Sequence, residues 1–568
     1  MDILKRMLCM IIILAFTSPG SFAQEVTVDT AISSIQDDGL IRVYLKSLGD
    51  PRAMYISLAG EYTVEGSSAM RFERGTDVIV TADAGRALMT VGGLTLNMGE
   101  EFTLTRCAAE GGAENGMYIY ESERNALYQG DLRIRCSEDA LRAVLTIAME
   151  DYLMGVVAYE MSDSFPLEAL KAQAVAARTY AMSRKSARVG AEYDVTDTTS
   201  DQVFKGFIGD YTNVIAAVEE TRGIVGTYKD YYATCYYTAS NGGQVATPNQ
   251  IWGGDGDYGY IQQKDDPYDL ENSRSLVNSF EIPAQCDMDN LLWQMIDARL
   301  DKSGHADLRA DAITEMALTG PAHEGSRMYT NLEVTLSVSA RDEGLIEIPY
   351  EGDVLLGWAM GYARIGNKWY KWGVKDWEGL EDPVTVTFSV YDEIKDGLNV
   401  GLNSADYEVP SIAETGDGYA IEMRRFGHGV GMSQRGAQTM AGSHGMSFVE
   451  ILNFYYPEMH LEAIVWDTPA LPEMDALPEG LVQERLLIPP REVDLGELSE
   501  GEYFARVTLD TAKSRLNVRV SPSTDAAIAA KLNDGYRVAV CEDAGDGWVR
   551  IRGGSFTGYV KLEYLTAE

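Results

Sequence analysis

The chain has 568 residues, of which 45% are hydrophobic and 24% are charged, and its formal net charge is −40 at pH 7. This length is enough for about three domains with sizeable cores. Because phosphate binding needs a basic surface, the charge excludes nucleic acid as a partner, and it argues against electrostatic docking onto anionic lipid or an anionic wall polymer. A polymer bound by this chain is therefore recognised through hydrogen bonds and stacking.

The first 23 residues have the pattern of an export signal. Lys5 and Arg6 precede an apolar run over residues 7–16, and a small-residue pattern ends at Ala23. The run is too short to span a bilayer. We therefore predict a signal peptide over residues 1–23 and an exported protein with no membrane span after cleavage. An uncleaved N-terminal anchor is the alternative.

The rest of the chain predicts an α+β fold with several domains. Short alternating runs such as "TDVIVTAD" and "EFTLTR" predict a small β region within residues 24–117. Residues 118–466 predict a domain of β-strands around a short helical pair, with an acidic insertion at about 270–420 whose role the sequence does not indicate. Residues 467–502 are rich in proline and acids and predict a linker. Residues 503–568 contain five short alternating runs and predict a small all-β barrel.

The cysteines and histidines indicate no metal site. Five cysteines remain after cleavage, their spacing fits no metal pattern, and no HExxH motif is present. Mostly buried thiols fit this set better than a disulfide between Cys107 and Cys136, which the sequence leaves open.

A glutamate stands where an apolar pattern asks for another hydrophobic residue. Read as a helix, "MEDYLMGVVAYEM" places Glu160 on the same apolar stripe as Met149 and Leu153, with Glu150 off the stripe. Desolvation on a buried face raises the pKa of a carboxyl. A carboxylic acid that stays protonated near neutral pH suits general-acid chemistry on a glycosidic oxygen. The alternative is a structural glutamate paired with an arginine such as Arg178.

The next helix is rich in alanine but also carries polar groups. Ser164 and Pro166 form a start signal, and Glu168 lies in the first turn, where the helix dipole favours an acid. Polar side chains share faces of this helix in two pairs, Lys171 with Arg178 and Gln173 with Tyr180. Such groups either contribute to a site or satisfy buried backbone.

Three further stretches carry unusual polar content. They are "DVTDTTSDQVFKG" (194–206), "YYTASNGGQ" (236–244) and "FGHGVGMSQRGAQTMA" (426–441). Glycines on both sides of His428 let a ligand or another strand approach the backbone closely. Ser433 and Gln434 then open a predicted helix.

These segments, together with "DDPYD", occur in the order seen in the stage II sporulation protein D family, which also includes the amidase enhancers. The resemblance covers about residues 118–266 and 422–457. It implies a lytic transglycosylase that acts on peptidoglycan glycan strands after an amidase has removed their stem peptides, in sporulation or wall remodelling. The C-terminal segment resembles bacterial Src homology 3 domains, which implies attachment to the cell wall; a purely structural appendage is the alternative.

The resemblance implies that Glu160 is the catalytic acid, since in that family the glutamate of the corresponding Glu-Met pair has this role. We expect sugar contacts, or contacts that orient Glu160, from Gln173, Arg178, Tyr180, Asp201, Gln202, Ser240, Asn241, His428, Ser433 and Gln434.

The chain departs from the family pattern at several positions. Tyr237 stands where many members have a histidine, which a metal site described for some members needs together with two cysteines. We therefore predict no metal and no cofactor. Phe426 replaces a common tryptophan before the Gly-His-Gly stretch, and Arg435 replaces a common aromatic residue, which bears on the substrate contacts.

Two other functions fit parts of the sequence. The first is a non-catalytic, peptidoglycan-binding activator of an N-acetylmuramoyl-L-alanine amidase, which would make that amidase a partner. The second is a wall peptidase with Cys235 and His428 as its pair. Cys235 lies in a strand-like run and not at a helix start, which disfavours the peptidase.

Overall fold

The computed structural model describes residues 36–109, 115–122, 126–207 and 209–473, together with most of 495–568. Short strands in several sheets dominate these residues, and helices are fewer, so the predicted α+β class is confirmed. The predicted signal peptide and most of the predicted linker lie outside the described residues. No helix in the described part is long and apolar enough to cross a membrane.

The N-terminal part consists of strands, as predicted. Their bounds are β1 Gln36–Asp37, β2 Leu40–Tyr44, β3 Ala53–Leu58, β4 Tyr62–Val64, β5 Ser67–Phe72, β6 Asp77–Asp83, β7 Arg86–Val91, β8 Leu94–Asn97, β9 Glu101–Arg106, β10 Met117–Ile119, β11 Gly130–Ser137 and β12 Ala140–Ala148.

Helices and very short strands follow. Their bounds are α1 Met149–Glu160, α2 Leu167–Ala187, β13 Val195–Thr196, α3 Thr212–Glu220, β14 Ile224–Tyr228, β15 Tyr231–Tyr232, β16 Tyr237–Thr238, β17 Gln244–Val245, α4 Pro248–Trp252, β18 Lys264–Asp265 and α5 Pro267–Glu271.

Two sheets carry the helices on a common core. One has the strand order β10-β3-β6-β7-β8, and the other has the order β13-β2-β12-β11-β9-β4-β5. Every second residue of β11 is buried, as expected for a strand with one face on a core. This core joins Ile41 of β2 to the helices and to Ile464, so it does not divide at the predicted boundary between residues 117 and 118.

Helix α2 lies at the centre of this core. Its alanines at 172, 174, 176, 177 and 181 are fully buried, and the small side chains let α1, α3 and two later helices pack against its axis. The sequence placed Ser164 in a start signal, but the helix begins after Pro166 and Ser164 does not cap it.

The insertion forms a unit with its own core. Its elements are β19 Val277–Pro283, α6 Leu291–Arg299, β20 Asp307–Pro321, β21 Tyr329–Arg341, β22 Glu343–Ile348, α7 Val354–Ala359, β23 Ala363–Ile365, β24 Lys368–Val374, β25 Glu378–Gly379, β26 Val384–Ser389, α8 Lys395–Gly397, β27 Val409–Glu414 and β28 Gly418–Arg424. Trp293, Phe388 and Met423 belong to this second core, which contains no residue of the first.

After the insertion the chain returns to the first core. The returning elements are β29 Met432–Ser433, α9 Gln434–Gly442, α10 Phe448–Tyr455, β30 His460–Ala463 and β31 Val465–Trp466. Strand β29 pairs with β16 in parallel, and β30 pairs with β14. These pairings bring the 426–441 stretch beside the 236–244 stretch.

The C-terminal segment is all-β, as predicted. Its strands are β32 Tyr503–Val507, β33 Arg515–Arg519, β34 Ile528–Asn533, β35 Arg537–Gly545, β36 Trp548–Arg552, β37 Thr557–Lys561 and β38 Leu565–Ala567. They form one sheet with the order β34-β33-β37-β36-β35-β32-β38, over a separate apolar core.

Candidate active site

Glu160 is the last residue of α1, and its surroundings fit the predicted acid. The helix ends there because Met161 adopts an extended conformation. Burial raises the pKa of the Glu160 carboxyl above its usual value, and a hydrogen bond from Gln434 lowers it to a smaller extent. Among the described residues, no cation forms an ion pair with Glu160. Its carboxyl is thus partly exposed, desolvated and not neutralised by a cation.

Gln434 reaches Glu160 from the first position of α9. Its Nε2 donates to Oε2 of Glu160 at 3.1 Å. An amide can donate to a carboxylate or, through its oxygen, accept from a carboxylic acid. Gln434 can therefore contact Glu160 in both protonation states. This confirms the prediction that Ser433 and Gln434 open a helix, with Ser433 as its N-cap.

Tyrosines of α1 and β16 lie within the electrostatic influence of Glu160. Gln202 links two of them: it accepts from the Tyr152 hydroxyl at 3.3 Å, and its Nε2 donates to the Tyr237 hydroxyl at 3.0 Å. Burial, with a smaller effect of the Glu160 charge, raises the pKa of both phenols well above the usual value. The two hydroxyls stay neutral, so Glu160 is the member of this group that ionises most readily, with a pKa raised above its usual value.

The alternative considered for Glu160, a structural ion pair with Arg178, is made by Glu150 instead. Arg178 is fully buried and pairs with Glu150, whose Oε2 lies 2.5 Å from Nη2 of the guanidinium. Glu150, which the helical pattern placed off the apolar stripe, is 2% exposed and also accepts from the Gly223 amide and the Trp466 indole. Arg178 therefore binds α1 to α2 in the interior, and the expectation that it contacts sugar or orients Glu160 does not fit this position.

Three other expected residues lie in the interior. Asp201 accepts from Arg184 at 2.9 Å, from Arg188 at 3.2 Å and from the amide of Thr196, and its side chain is 1% exposed. It fixes a loop and is closed to a ligand. Gln173 is fully buried, and its amide has no hydrogen-bond partner among the described residues. Tyr180 is 8% exposed, and burial raises the pKa of its phenol to about 12.

A buried acid pair in the "DDPYD" stretch, whose residues were not among the expected site residues, connects the remaining stretches. Asp269 accepts from Ser240 Oγ at 2.9 Å, from the Asn241 amide at 3.3 Å and from Ser433 Oγ at 2.6 Å. Asp269 therefore fixes the Ser-Asn-Gly-Gly turn and the N-terminus of α9 relative to each other. That N-terminus presents Gln434 to Glu160.

Asp266 completes this network. It accepts from Asn241 Nδ2 at 2.7 Å and from the Tyr455 hydroxyl at 2.7 Å. Burial raises its pKa to about 6, against the hydrogen bond from Tyr455. The signal in the sequence was Asp266 before Pro267, an N-cap followed by a helix-starting proline.

The glycine-rich stretch places His428 beside aromatic rings. Gly427, Gly429 and Gly431 all have positive φ, and a Cβ on Gly431 would lie 2.0 Å from the carbonyl of Tyr236. The close backbone approach that the glycines predicted is thus made by the chain at Tyr236, directly before strand β16. His428 Nδ1 accepts from the Val430 amide at 3.0 Å, and burial, with the nearby Arg425 charge, lowers the imidazole pKa to about 4. His428 is neutral at physiological pH.

Comparison with known proteins finds two family matches within the chain. Residues 137–228 match the family model described as stage II sporulation protein, and residues 514–566 match the bacterial SH3 domain. The amidase enhancer of Bacillus subtilis is 30% identical over 309 residues, which are 54% of this chain and 39% of that protein. Stage II sporulation protein D of Bacillus subtilis is 25% identical over 332 residues, 56% of this chain and 75% of that protein.

Residues 137–228 are thus similar to the stage II sporulation protein family. An uncharacterised protein of Brachyspira hyodysenteriae is also similar, at 31% identity over 232 residues, or 39% of this chain and 58% of that protein. The chain thus spans about two fifths and three fifths of the lengths of two of these relatives. The family match includes α1, α2 and Glu160, whereas His428 and Gln434 lie outside the matched residues.

The metal site described for some members of the family does not fit this chain. The Tyr237 phenol at the histidine position is buried and bonded to Gln202. The Cys235 thiol is fully buried against the sulfur of Met459, and burial raises its pKa far above the usual value. Neither group is a suitable ligand. In the described part of the chain, Cys107, Cys136 and Cys235 are buried free thiols, so no Cys107–Cys136 disulfide is present.

Proposed function

We propose that this protein is a peptidoglycan lytic transglycosylase that cleaves the bond between N-acetylmuramic acid and N-acetylglucosamine in peptide-free glycan strands. The observation that carries the proposal is the desolvated Glu160 carboxyl, which has no cation partner in the described residues and lies in a domain of the stage II sporulation protein D family. A buried glutamate of purely structural function is expected to have a cation partner, as Glu150 does.

One carboxyl accounts for both steps of the reaction. Protonated Glu160 donates its proton to the glycosidic oxygen as the bond to the muramyl anomeric carbon breaks. The muramyl 6-hydroxyl then attacks that carbon, and the Glu160 carboxylate accepts the hydroxyl proton. The products are an anhydromuramyl end and a free N-acetylglucosamine hydroxyl, and no water is consumed. A raised pKa favours both steps, because it keeps the acid protonated and makes its conjugate base stronger.

The neighbouring residues have supporting roles in this proposal. Gln434 orients the Glu160 carboxyl, and Gln202 fixes the tyrosines around it. Ser240, Asn241 and Ser433 shape the site through their bonds to the buried aspartates. A hydrolase normally uses two carboxyl groups that flank the bond, whereas this reaction needs one.

The decisive experiment is a digest of purified peptidoglycan by the full chain, with and without pretreatment by an N-acetylmuramoyl-L-alanine amidase. Mass spectrometry of the products is expected to find anhydromuramyl ends, with more turnover after pretreatment. Reducing ends would identify a hydrolase and contradict the proposal.

Activation of an amidase is a second candidate function, because one relative is named an amidase enhancer. Unchanged strands in the digest, together with faster release of stem peptides when the chain is added to an amidase, would favour this function. Stimulation that survives Glu160→Gln would show that it does not need the carboxyl.

We also propose that the protein acts outside the cytoplasm, in sporulation or wall remodelling, and that its bacterial SH3 domain attaches it to the cell wall. The SH3 match and the names of the relatives support this location.

A further inference from the structure

An exposed aromatic surface lies next to the candidate active site. Trp252 is the last residue of α4 and is 48% exposed. Its ring centroid lies 4.8 Å from that of Tyr236 and 5.1 Å from that of His428. We call these three residues the aromatic platform. Trp252 and Tyr236 are not among the residues that the sequence analysis selected.

The platform is held in a defined position. Thr247 and Gln250 form a capping box at the start of α4, and Pro248 occupies the first helical turn, so this short helix has a fixed beginning. Gly253 and Gly254 follow Trp252 with positive φ, and no atom lies within 4 Å of a Cβ built on either residue. The backbone directly after the tryptophan is therefore open to solvent at both glycines.

The platform connects to the surroundings of Glu160 through tyrosines. The Tyr180 ring lies 6.0 Å from the Tyr236 ring. Burial is the largest cause of the raised pKa of the Tyr237 phenol, and the Glu160 charge is the second largest. Tyr180 also contributes to this shift. His428 lies in the segment that leads into β29. Met432 of β29 pairs with Tyr237. The platform is thus connected to Glu160 through the consecutive residues Tyr236 and Tyr237, and we take one extended strand to contact both.

We propose that Trp252 binds an N-acetylglucosamine ring of the glycan strand by stacking, at a subsite separate from the bond that is cleaved. The proposal rests on the proposed function for its ligand class. A pyranose ring has a face of C–H groups, and the indole face carries the negative part of its quadrupole, which attracts them. His428 is neutral, so the platform offers no charge to a muramyl carboxylate, and the acidic chain disfavours anionic units.

The test measures binding apart from turnover. Isothermal titration calorimetry follows a neutral β-1,4-linked N-acetylglucosamine tetramer binding to the full chain that carries Glu160→Gln. Adding Trp252→Ala is expected to weaken binding about three- to ten-fold, and Trp252→Phe is expected to retain part of the affinity. The matched control is Trp372→Ala, which removes a tryptophan that is 67% exposed in the insertion and is expected to leave binding unchanged.

The outcomes separate this inference from the proposed function. Equal affinity of the Trp252→Ala variant and its parent would overturn the subsite, as would no binding of the tetramer by the parent. If Trp252→Ala weakens binding while the native chain yields no anhydromuramyl ends, the subsite stands and the proposed reaction is wrong. If anhydromuramyl ends appear and Trp252→Ala changes neither binding nor KM, the reaction stands and the subsite is wrong.

Discussion

Glu150 and Glu160 belong to one helix, but their carboxyls have different partners. Glu150 is enclosed and bonded to the Arg178 guanidinium, the Gly223 amide and the Trp466 indole. Glu160 is partly exposed and accepts a hydrogen bond from Gln434. The first carboxyl neutralises a buried cation, whereas the second is available to exchange a proton with a ligand.

Replacing Glu160 tests the chemical function. Glu160→Gln keeps the volume and removes the transferable proton, so the turnover of peptide-free strands should fall by roughly 10²- to 10⁴-fold. The melting temperature should change little, because a neutral amide is no harder to bury than a protonated carboxyl. Product analysis and thermal denaturation check the two parts. A variant that melts early but still cleaves strands would contradict the catalytic function.

Replacing Glu150 tests the structural function of the other end of the helix. Glu150→Gln leaves the fully buried Arg178 without its carboxylate, which should cost roughly 3–5 kcal/mol of unfolding free energy. Chemical denaturation measures this cost, and Glu160→Gln in the same helix is the matched control. Equal stability of the two variants would show that the Arg178 charge is compensated elsewhere.

Replacing Gln434 tests whether the pKa of Glu160 governs the pH range of the proposed reaction. Its hydrogen bond lowers the pKa of Glu160 against the larger effect of burial, so Gln434→Leu should raise that pKa. The protonated form of Glu160 would then persist to higher pH. The alkaline limb of the kcat/KM profile should therefore move to higher pH, while the maximal turnover falls because Gln434 no longer orients the carboxyl.

The control is Gln438→Leu in the same helix, since Gln438 contacts Arg435 and Asn272 and not Glu160. Its pH profile should match that of the native chain. An alkaline limb that moves to lower pH in Gln434→Leu would contradict the assigned hydrogen bond.

At the scale of elements, the N-terminus of α9 determines the site geometry. Ser433 is both the N-cap of α9 and a donor to Asp269. Ser433→Ala should cost about 1 kcal/mol of stability for the lost cap. It should also reduce turnover, because α9 loses its bond to the Ser-Asn-Gly-Gly turn and Gln434 shifts from Glu160.

Ser447→Ala offers a matched comparison. Ser447 is the N-cap of α10, within a capping box with Glu450, and it has no bond to the buried aspartates. Its loss should cost a similar amount of stability and leave turnover intact. Denaturation and product assays on both variants separate a lost cap from a displaced site, and equal turnover would refute the role of α9.

Sequence reasoning succeeded for elements with a strong local pattern. The alternating N-terminal runs, the helix ending at Glu160 and the helix opened by Ser433 and Gln434 are all present. The start of α2 was less well predicted, because Ser164 bonds with Ser162 instead of capping the helix. Local patterns fix the type of an element, whereas its ends depend on which competing hydrogen bonds form.

At the scale of the whole molecule, three large cores divide the described chain, and a small cluster of Leu495 and Ala539 lies at the C-terminal sheet. The first joins the N-terminal sheets to the site helices, the second belongs to the insertion, and the third belongs to the C-terminal sheet. The boundary predicted at 117/118 lies inside the first core. Alternating strands gave no indication that they would share a core with helices that follow in the sequence.

The separate third core predicts that the C-terminal domain can be removed. A chain that ends at Glu473 keeps the first two cores and the Ala108–Pro472 hydrogen bond. It should retain turnover on short soluble strands and bind intact sacculi less well than the full chain. Sedimentation with sacculi and a product assay check both parts. Loss of turnover on soluble strands would show that the C-terminal domain helps to form the active site.

The sequence by itself determined the α+β class, the family resemblance and the helix that carries Glu160. Only the tertiary structure decided which carboxylate pairs with Arg178 and which group contacts Glu160. Gln434 and Glu160 are 274 positions apart, and Asp269 bonds residues of two other stretches. Periodicity sets the buried side of each element, but side-chain partners depend on how distant segments pack, and no local pattern encodes that.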